Sequence, residues 1–120
     1  MRPHEKLNVW QRAVNFVVRL YKLTATFPPE EKFSLTSQIR RAAISVPANI
    51  AEGAGRQSKK EFSYFLSNAQ GSASELSTEL LIAYKLGYLS TRNYNEVSDE
   101  VDQIGRMIGG LAMTIKSPSK

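Results

Sequence analysis

Six cations, Arg12, Arg19, Lys22, Arg56, Lys59 and Lys60, have the residue types and spacing that best suit a chemical task, and the task is holding phosphate. Arg12, Asn15, Arg19, Lys22 and Thr26 step by 3, 4, 3 and 4, so on a helix they form one polar line with three cations along about 15 Å and no acid between them. Repeated Arg and Lys at that spacing can contact successive phosphates, and the bland alternative is a solvated helix face. Arg56, Lys59 and Lys60 make a second basic cluster beside a helix start at Ser58, where anions are favoured.

Catalytic chemistry has far less to work with. The chain of 120 residues has no Cys and a single His, His4, which excludes disulfides, thiolate metal sites and a cysteine nucleophile. Glu75 and Glu79 share a helical face, but no Glu-x-x-His pair accompanies them, so solvation or pairing with Arg is the expected role. Gly53-Ala54-Gly55 lacks the lysine spacing of a phosphate-cradling loop and follows a helix rather than a strand. An enzyme is therefore the least supported class, and neither a metal nor a cofactor is expected.

The elements that must position these cations follow from hydrophobic spacing. Leu7, Trp10, Val14, Val17 and Tyr21 form one stripe, predicting a helix over about 8–26 that Phe27-Pro28-Pro29 stops. Asn8 and Gln11 resemble a capping box at its start. Leu35, Ile39, Ala42, Val46 and Ile50 predict a helix over 34–54, and Pro47 inside it predicts a kink or break at 45–47. Ser58-Lys59-Lys60-Glu61 is a capping box opening a helix over 58–86, closed by Gly87. The fourth runs over 91–116, with Val97, Val101, Ile104, Ile108, Leu111 and Ile115 inward. No segment alternates with period two. The expectation is all-α: one domain over residues 1–120, folded as an antiparallel up-and-down four-helix bundle.

Three secondary patterns refine this. A second apolar line on the first helix, Ala13, Phe16, Leu20, Leu23 and Phe27, exceeds what one seam needs and predicts a subunit interface through Phe16, Leu20 and Leu23. A polar line on the second helix, Arg41, Ser45, Asn49 and Glu52, is expected to be structural, satisfying backbone freed at Pro47. Small residues, Gly71 on the third helix and Gly105, Gly109 and Gly110 on the fourth, suggest close backbone approach.

Residues 1–60 carry 11 Lys and Arg against 4 acids, and residues 61–120 carry 5 against 7, so the net charge of +5 belongs to the first half. That asymmetry favours an anionic partner such as RNA or DNA. No stretch reaches the roughly 18 uninterrupted apolar residues of a membrane span, and Met1 to Lys6 lead into no apolar signal region. The expected location is cytoplasmic, with no membrane partner.

The run Ser45-Val46-Pro47-Ala48-Asn49-Ile50-Ala51-Glu52-Gly53, with Gly55-Arg56, Glu61-Phe62 and Phe65-Leu66, resembles the bacterial four-helix-bundle proteins named after the intervening sequence of 23S ribosomal RNA genes. These are relatives of the accessory proteins of diversity-generating retroelements. The likeness extends from Leu7-Asn8-Val9-Trp10 through Gln38-Ile39-Arg40-Arg41-Ala42 and Ala69-Gly71-Ser72 to Leu86-Gly87-Tyr88-Leu89. It implies a ring-like homopentamer without known enzymatic activity. From the retroelement relatives it implies binding of nucleic acid and of a protein partner such as a reverse transcriptase through a positive surface. Two functions follow: an oligomeric adaptor binding nucleic acid by charge, or an oligomeric protein–protein scaffold. The feature that separates them is whether Arg12, Arg19 and Lys22 stay available or are taken up by acids of the third and fourth helices.

Overall fold

The computed structural model describes residues 2–116. Four helices account for nearly all of it: α1 (Asn8–Thr24), α2 (Leu35–Ala54), α3 (Lys59–Lys85) and α4 (Thr91–Lys116), with single 3-10 turns at Pro3–Lys6 and Pro29–Glu31. Cross-helix bonds set their directions. Ser45 meets Ser72 while Gly53 meets Phe65, so α2 and α3 are antiparallel; Arg12 meets Glu100 while Arg19 meets Glu96, so α1 and α4 are too. The bundle is a rod of 52 × 22 × 21 Å. Its axis is filled by the inward stripes, among them Ile39, Ile50, Leu66, Leu76, Leu80, Ile104 and Ile108. Among the described residues there is no strand, and no helix is long and apolar enough to cross a membrane.

Local chemistry explains the boundaries. Ser58 caps α3, accepting from the Glu61 amide at 3.1 Å, while its hydroxyl donates to the Glu61 carboxylate at 3.1 Å. Gly87 stands at φ +83°, and the Tyr88 and Gly87 amides donate to the Ala83 and Tyr84 carbonyls at 2.9 Å, closing α3 through a residue only glycine suits. The capping box expected at Asn8 and Gln11 does not form. Leu7 precedes the helix without a side-chain cap, and the Gln11 amide reaches back to the Glu5 carbonyl at 2.7 Å.

Pro47 does not break α2, which is one helix from Leu35 to Ala54. Its ring is buried in the core, where apolar burial offsets the missing hydrogen bond. Asn49 supports this turn, its Nδ2 donating to the Ser45 carbonyl at 2.8 Å and to Ser45 Oγ at 2.9 Å, and Ser45 Oγ pairs with Ser72 Oγ of α3 at 2.8 Å.

The two apolar lines of α1 exchange roles relative to expectation. Val9, Ala13, Phe16 and Leu20 face the core, with Leu20 0% and Phe16 5% exposed, while Trp10, Val14 and Val17 are half-buried and Tyr21 is exposed. Phe16 and Leu20 thus belong to the protomer's own interior and do not offer an interface; Leu23 is half-buried against the same core. The reason is geometric: two adjacent lines of equal spacing are distinguished only by which neighbours they meet.

The expected close approach also moves. A Cβ on Gly71 or Gly110 would meet nothing within 4 Å, and one on Gly105 or Gly109 would meet only the Gln70 side chain, which fills the gap and donates to the Gly105 carbonyl at 3.0 Å. The glycine that permits contact is Gly53, where a Cβ would lie 2.8 Å from Phe65 Cβ and 2.9 Å from Phe62 Cδ1.

Candidate nucleic-acid interface

The α1 cations meet the acids of α4. Arg12 Nε and Nη2 donate to the two Glu100 oxygens at 2.7 and 2.8 Å, a bidentate fork, and Arg19 Nη2 donates to Glu96 at 2.5 Å. The Arg12 hydrogen bond, against the opposing effect of burial, holds the Glu100 carboxyl below its usual range, and the same bond raises the Arg12 pKa. Arg92 approaches Glu96 at 3.4 Å from the next turn of α4. Of the α1 line only Lys22 makes no ion pair among the described residues.

At the other basic cluster, Arg56 pairs with Glu52 at 2.5 Å and lies 3.8 Å from Glu61, with its guanidinium over the Phe65 ring at 5.1 Å. Lys59 and Lys60 open α3 on the exposed side of that end. The polar line of α2 divides into three: Ser45 and Asn49 form the network at Pro47, Glu52 serves Arg56, and Arg41 stands exposed, lining a cavity with Gln38, Ser45 and Glu75 but forming no ion pair among the described residues. His4 packs edge-on against Trp10, ring centroids 4.8 Å apart. Among the described residues no group of His, Asp and Glu converges to hold a metal ion.

Cations without an ion pair among the described residues gather at the end of the bundle where α1 finishes and α2 begins. A shallow groove of about 280 Å³ there is lined by Tyr21, Lys32, Phe33, Arg40, Arg41 and Ile44, with Thr36 and Ser37 in its floor. Three of these are cations, two are aromatic and none is acidic. Arg40 is fixed in place: Nε donates to Thr24 Oγ1 at 2.9 Å, Nη2 donates to the Tyr21 carbonyl at 3.1 Å, and its guanidinium lies 4.3 Å from the Tyr21 ring centroid. Phe33 is 89% exposed, with Lys32 Nζ 5.4 Å from its ring centroid. Arg41 lies on the outward ridge of α2 that also carries Ser37, Ile44 and Ala48. Lys22 follows Tyr21 on the exposed side of α1. Of the acids nearest in sequence, Glu31 is engaged elsewhere: it accepts from the Tyr88 hydroxyl at 2.7 Å, and this bond, with burial and the charges of Glu31 and Glu30, raises the Tyr88 pKa.

Lys32, Phe33 and Arg40 carry no signal in the helical periodicities. One sign was available: Phe33 is apolar yet falls on no stripe, directly after the Pro28-Pro29 connection. A large apolar residue outside every stripe has no core position to occupy.

Comparison with known proteins agrees with this architecture. No curated protein matches the chain. A crystal structure from Bacteroides thetaiotaomicron VPI-5482, described as a protein with unknown function from the S23 ribosomal protein family, superposes with a TM-score of 0.81 at 26% identity, covering 87% of this chain and 97% of that one. The model of the 23S rRNA-intervening sequence protein family matches residues 5–110, which include all of α1, α2 and α3 and most of α4, and by that match the chain belongs to the 23S rRNA-intervening sequence protein family.

Proposed function

We propose that the protein is a non-enzymatic, self-associating protein that binds nucleic acid by charge and serves as an adaptor for a partner such as a nucleic-acid enzyme. The observation that carries this reading is the groove between the end of α1 and the start of α2, where Lys32, Arg40 and Arg41 make no ion pair among the described residues and no acid is among the lining residues. The ion pairs with Glu100 and Glu96 offset the charge of Arg12 and Arg19, so the phosphate-binding role passes from the ridge of α1 to this end of the bundle, with Lys22 at its edge. One groove supplies few charges. Several copies in one assembly engage a strand together at high effective concentration.

Fluorescence anisotropy with labelled RNA and DNA across ionic strength tests this. Binding is expected to weaken steeply with salt, with a log–log slope of about −0.7 per phosphate neutralised on single strands. Lys32→Gln and Arg41→Gln flatten that slope, whereas Arg12→Gln leaves it unchanged. An assembly that binds neither nucleic acid at low ionic strength refutes the reading.

A second reading, a protein–protein scaffold with no nucleic-acid role, is favoured by apolar side chains left outside the core. Ile82 on α3 and Leu86, its C-cap residue one turn on, are 44% and 54% exposed, with Leu81 beside them. Self-association is common to both readings, and its pentameric form is what the family resemblance implies. Light scattering coupled to size exclusion tests it: a species of 13.4 kDa at every micromolar concentration overturns self-association.

A further inference from the structure

We infer that the α1–α2 groove takes single-stranded nucleic acid, with Phe33 as a stacking platform for an unpaired base; this rests on the nucleic-acid reading above and adds to it the kind of strand. The chain keeps a whole aromatic ring almost entirely in water, 89% exposed, while the remaining phenylalanines are buried or half-buried. The ring stands at the edge of the groove with nearly all its surface in water, so it suits a flat partner laid on its face. A base is such a partner, and its phosphates bring the charge that the surrounding cations match. Lys32 stands 5.4 Å from the same ring, close enough to serve the phosphate of a nucleotide whose base lies on Phe33. Arg40 is already oriented by Thr24 and by the Tyr21 carbonyl and ring, and its Nη1 has no partner among the described residues, which leaves it a donor for the next phosphate.

A duplex keeps its bases stacked inside and presents only backbone to this surface, which would leave Phe33 unused. An acidic peptide matches the charge but has no flat π-face to lay on Phe33. The sequence alone suggests little stacking, because few aromatics lie on the same helical lines as the basic residues. The fold brings Tyr21 and Phe33, from α1 and the α1–α2 connection, beside cations of α2.

The test measures binding by the full-length protein, by anisotropy, of four labelled probes: a single strand of about 15 nucleotides, an abasic phosphodiester strand of equal length, a duplex of equal length, and a polyglutamate peptide. The base-bearing strand is expected to bind about tenfold tighter than the abasic one, as expected for a single stacked base. Phe33→Ala removes that tenfold advantage and leaves abasic binding unchanged, and Phe33→Trp retains it with quenching of the new fluorophore on binding. Because Phe33 lies outside the core, both variants should melt as the wild type does, which thermal unfolding checks. Equal affinity for base-bearing and abasic strands overturns the stacking inference while leaving charge-driven binding intact. The same holds for a duplex bound as tightly as the single strand and indifferent to Phe33→Ala. Polyglutamate bound as tightly as the strand, with no effect of Phe33→Ala, makes the groove an acidic-peptide site instead. Failure of every nucleic-acid probe at low salt refutes the underlying reading itself.

Discussion

Glu79 offers the sharpest test of how this bundle is held together. It sits on α3, 5% exposed, and its Oε1 is buried with no hydrogen-bond partner among the described residues. Burial, reinforced by the charge of Glu75 one turn earlier, pushes its pKa from the ordinary 4.5 up to about 7. The folded chain therefore keeps a proton that the unfolded chain releases once pH passes 4.5. Stability contributed by this proton is fully present below pH 4.5, falls between pH 4.5 and 7, and is gone above 7. At about 1.4 kcal/mol per pH unit, the span corresponds to at most about 3 kcal/mol, which relaxation around the ionised carboxylate reduces. Glu79→Gln and Glu79→Met remove the titration. Urea unfolding followed by circular dichroism, at fixed protein concentration from pH 5 to pH 9, should show both variants gaining on the wild type as pH rises, by about 1 to 3 kcal/mol in total. Glu75→Gln should move the midpoint of that change to lower pH, because it removes the neighbouring like charge. A difference between wild type and Glu79 variants that is the same at pH 5 and pH 9 refutes the assignment.

Gly53→Ala should destabilise by about 1 to 3 kcal/mol through the clash with Phe62 and Phe65, whereas Gly110→Ala, with open space around its Cβ, should stabilise by up to about 1 kcal/mol through helix propensity; paired thermal melts check both. Asn49→Ala should cost about 1 kcal/mol and leave nucleic-acid affinity unchanged, since among the described residues its side chain bonds only Ser45. Arg12→Gln should lower stability at neutral pH, with an effect that shrinks at high salt and vanishes in acid as Glu100 protonates through its depressed pKa. Phe16→Glu should unfold the protomer rather than release intact monomers, and circular dichroism alongside light scattering separates the two outcomes.

Helices were legible because this chain punctuates them: Ser58 and Gly87 mark ends by chemistry that belongs to single residues. Which face of α1 points inward was not, because Leu7–Tyr21 and Ala13–Phe27 share one period and only the position of α2 and α4 distinguishes them. Pro47 was read from its local cost alone, and the core burial of its ring is a tertiary term. The cations were visible and their partners were not, since Arg12 and Glu100 are 88 residues apart. The groove was hidden for the same reason, being assembled from Tyr21, Lys32 and Arg40 on three successive segments.

The contact at Gly53 also bears on how the chain reaches this fold. The connection between α2 and α3 is only residues 55–58, and Gly53 lets the two helices touch immediately beside it, at Phe62 and Phe65. Closing so short a loop costs little entropy, and the α3–α4 connection, residues 86–90, is almost as short, so these two hairpins are the cheapest contacts the sequence can form. The α1–α4 seam can close only once both ends of the chain have returned to it, and its charge pairs join positions more than 70 residues apart. On that spacing, changes at the hairpins are expected to slow folding and changes at the seam chiefly to hasten unfolding, which the two arms of a urea chevron check.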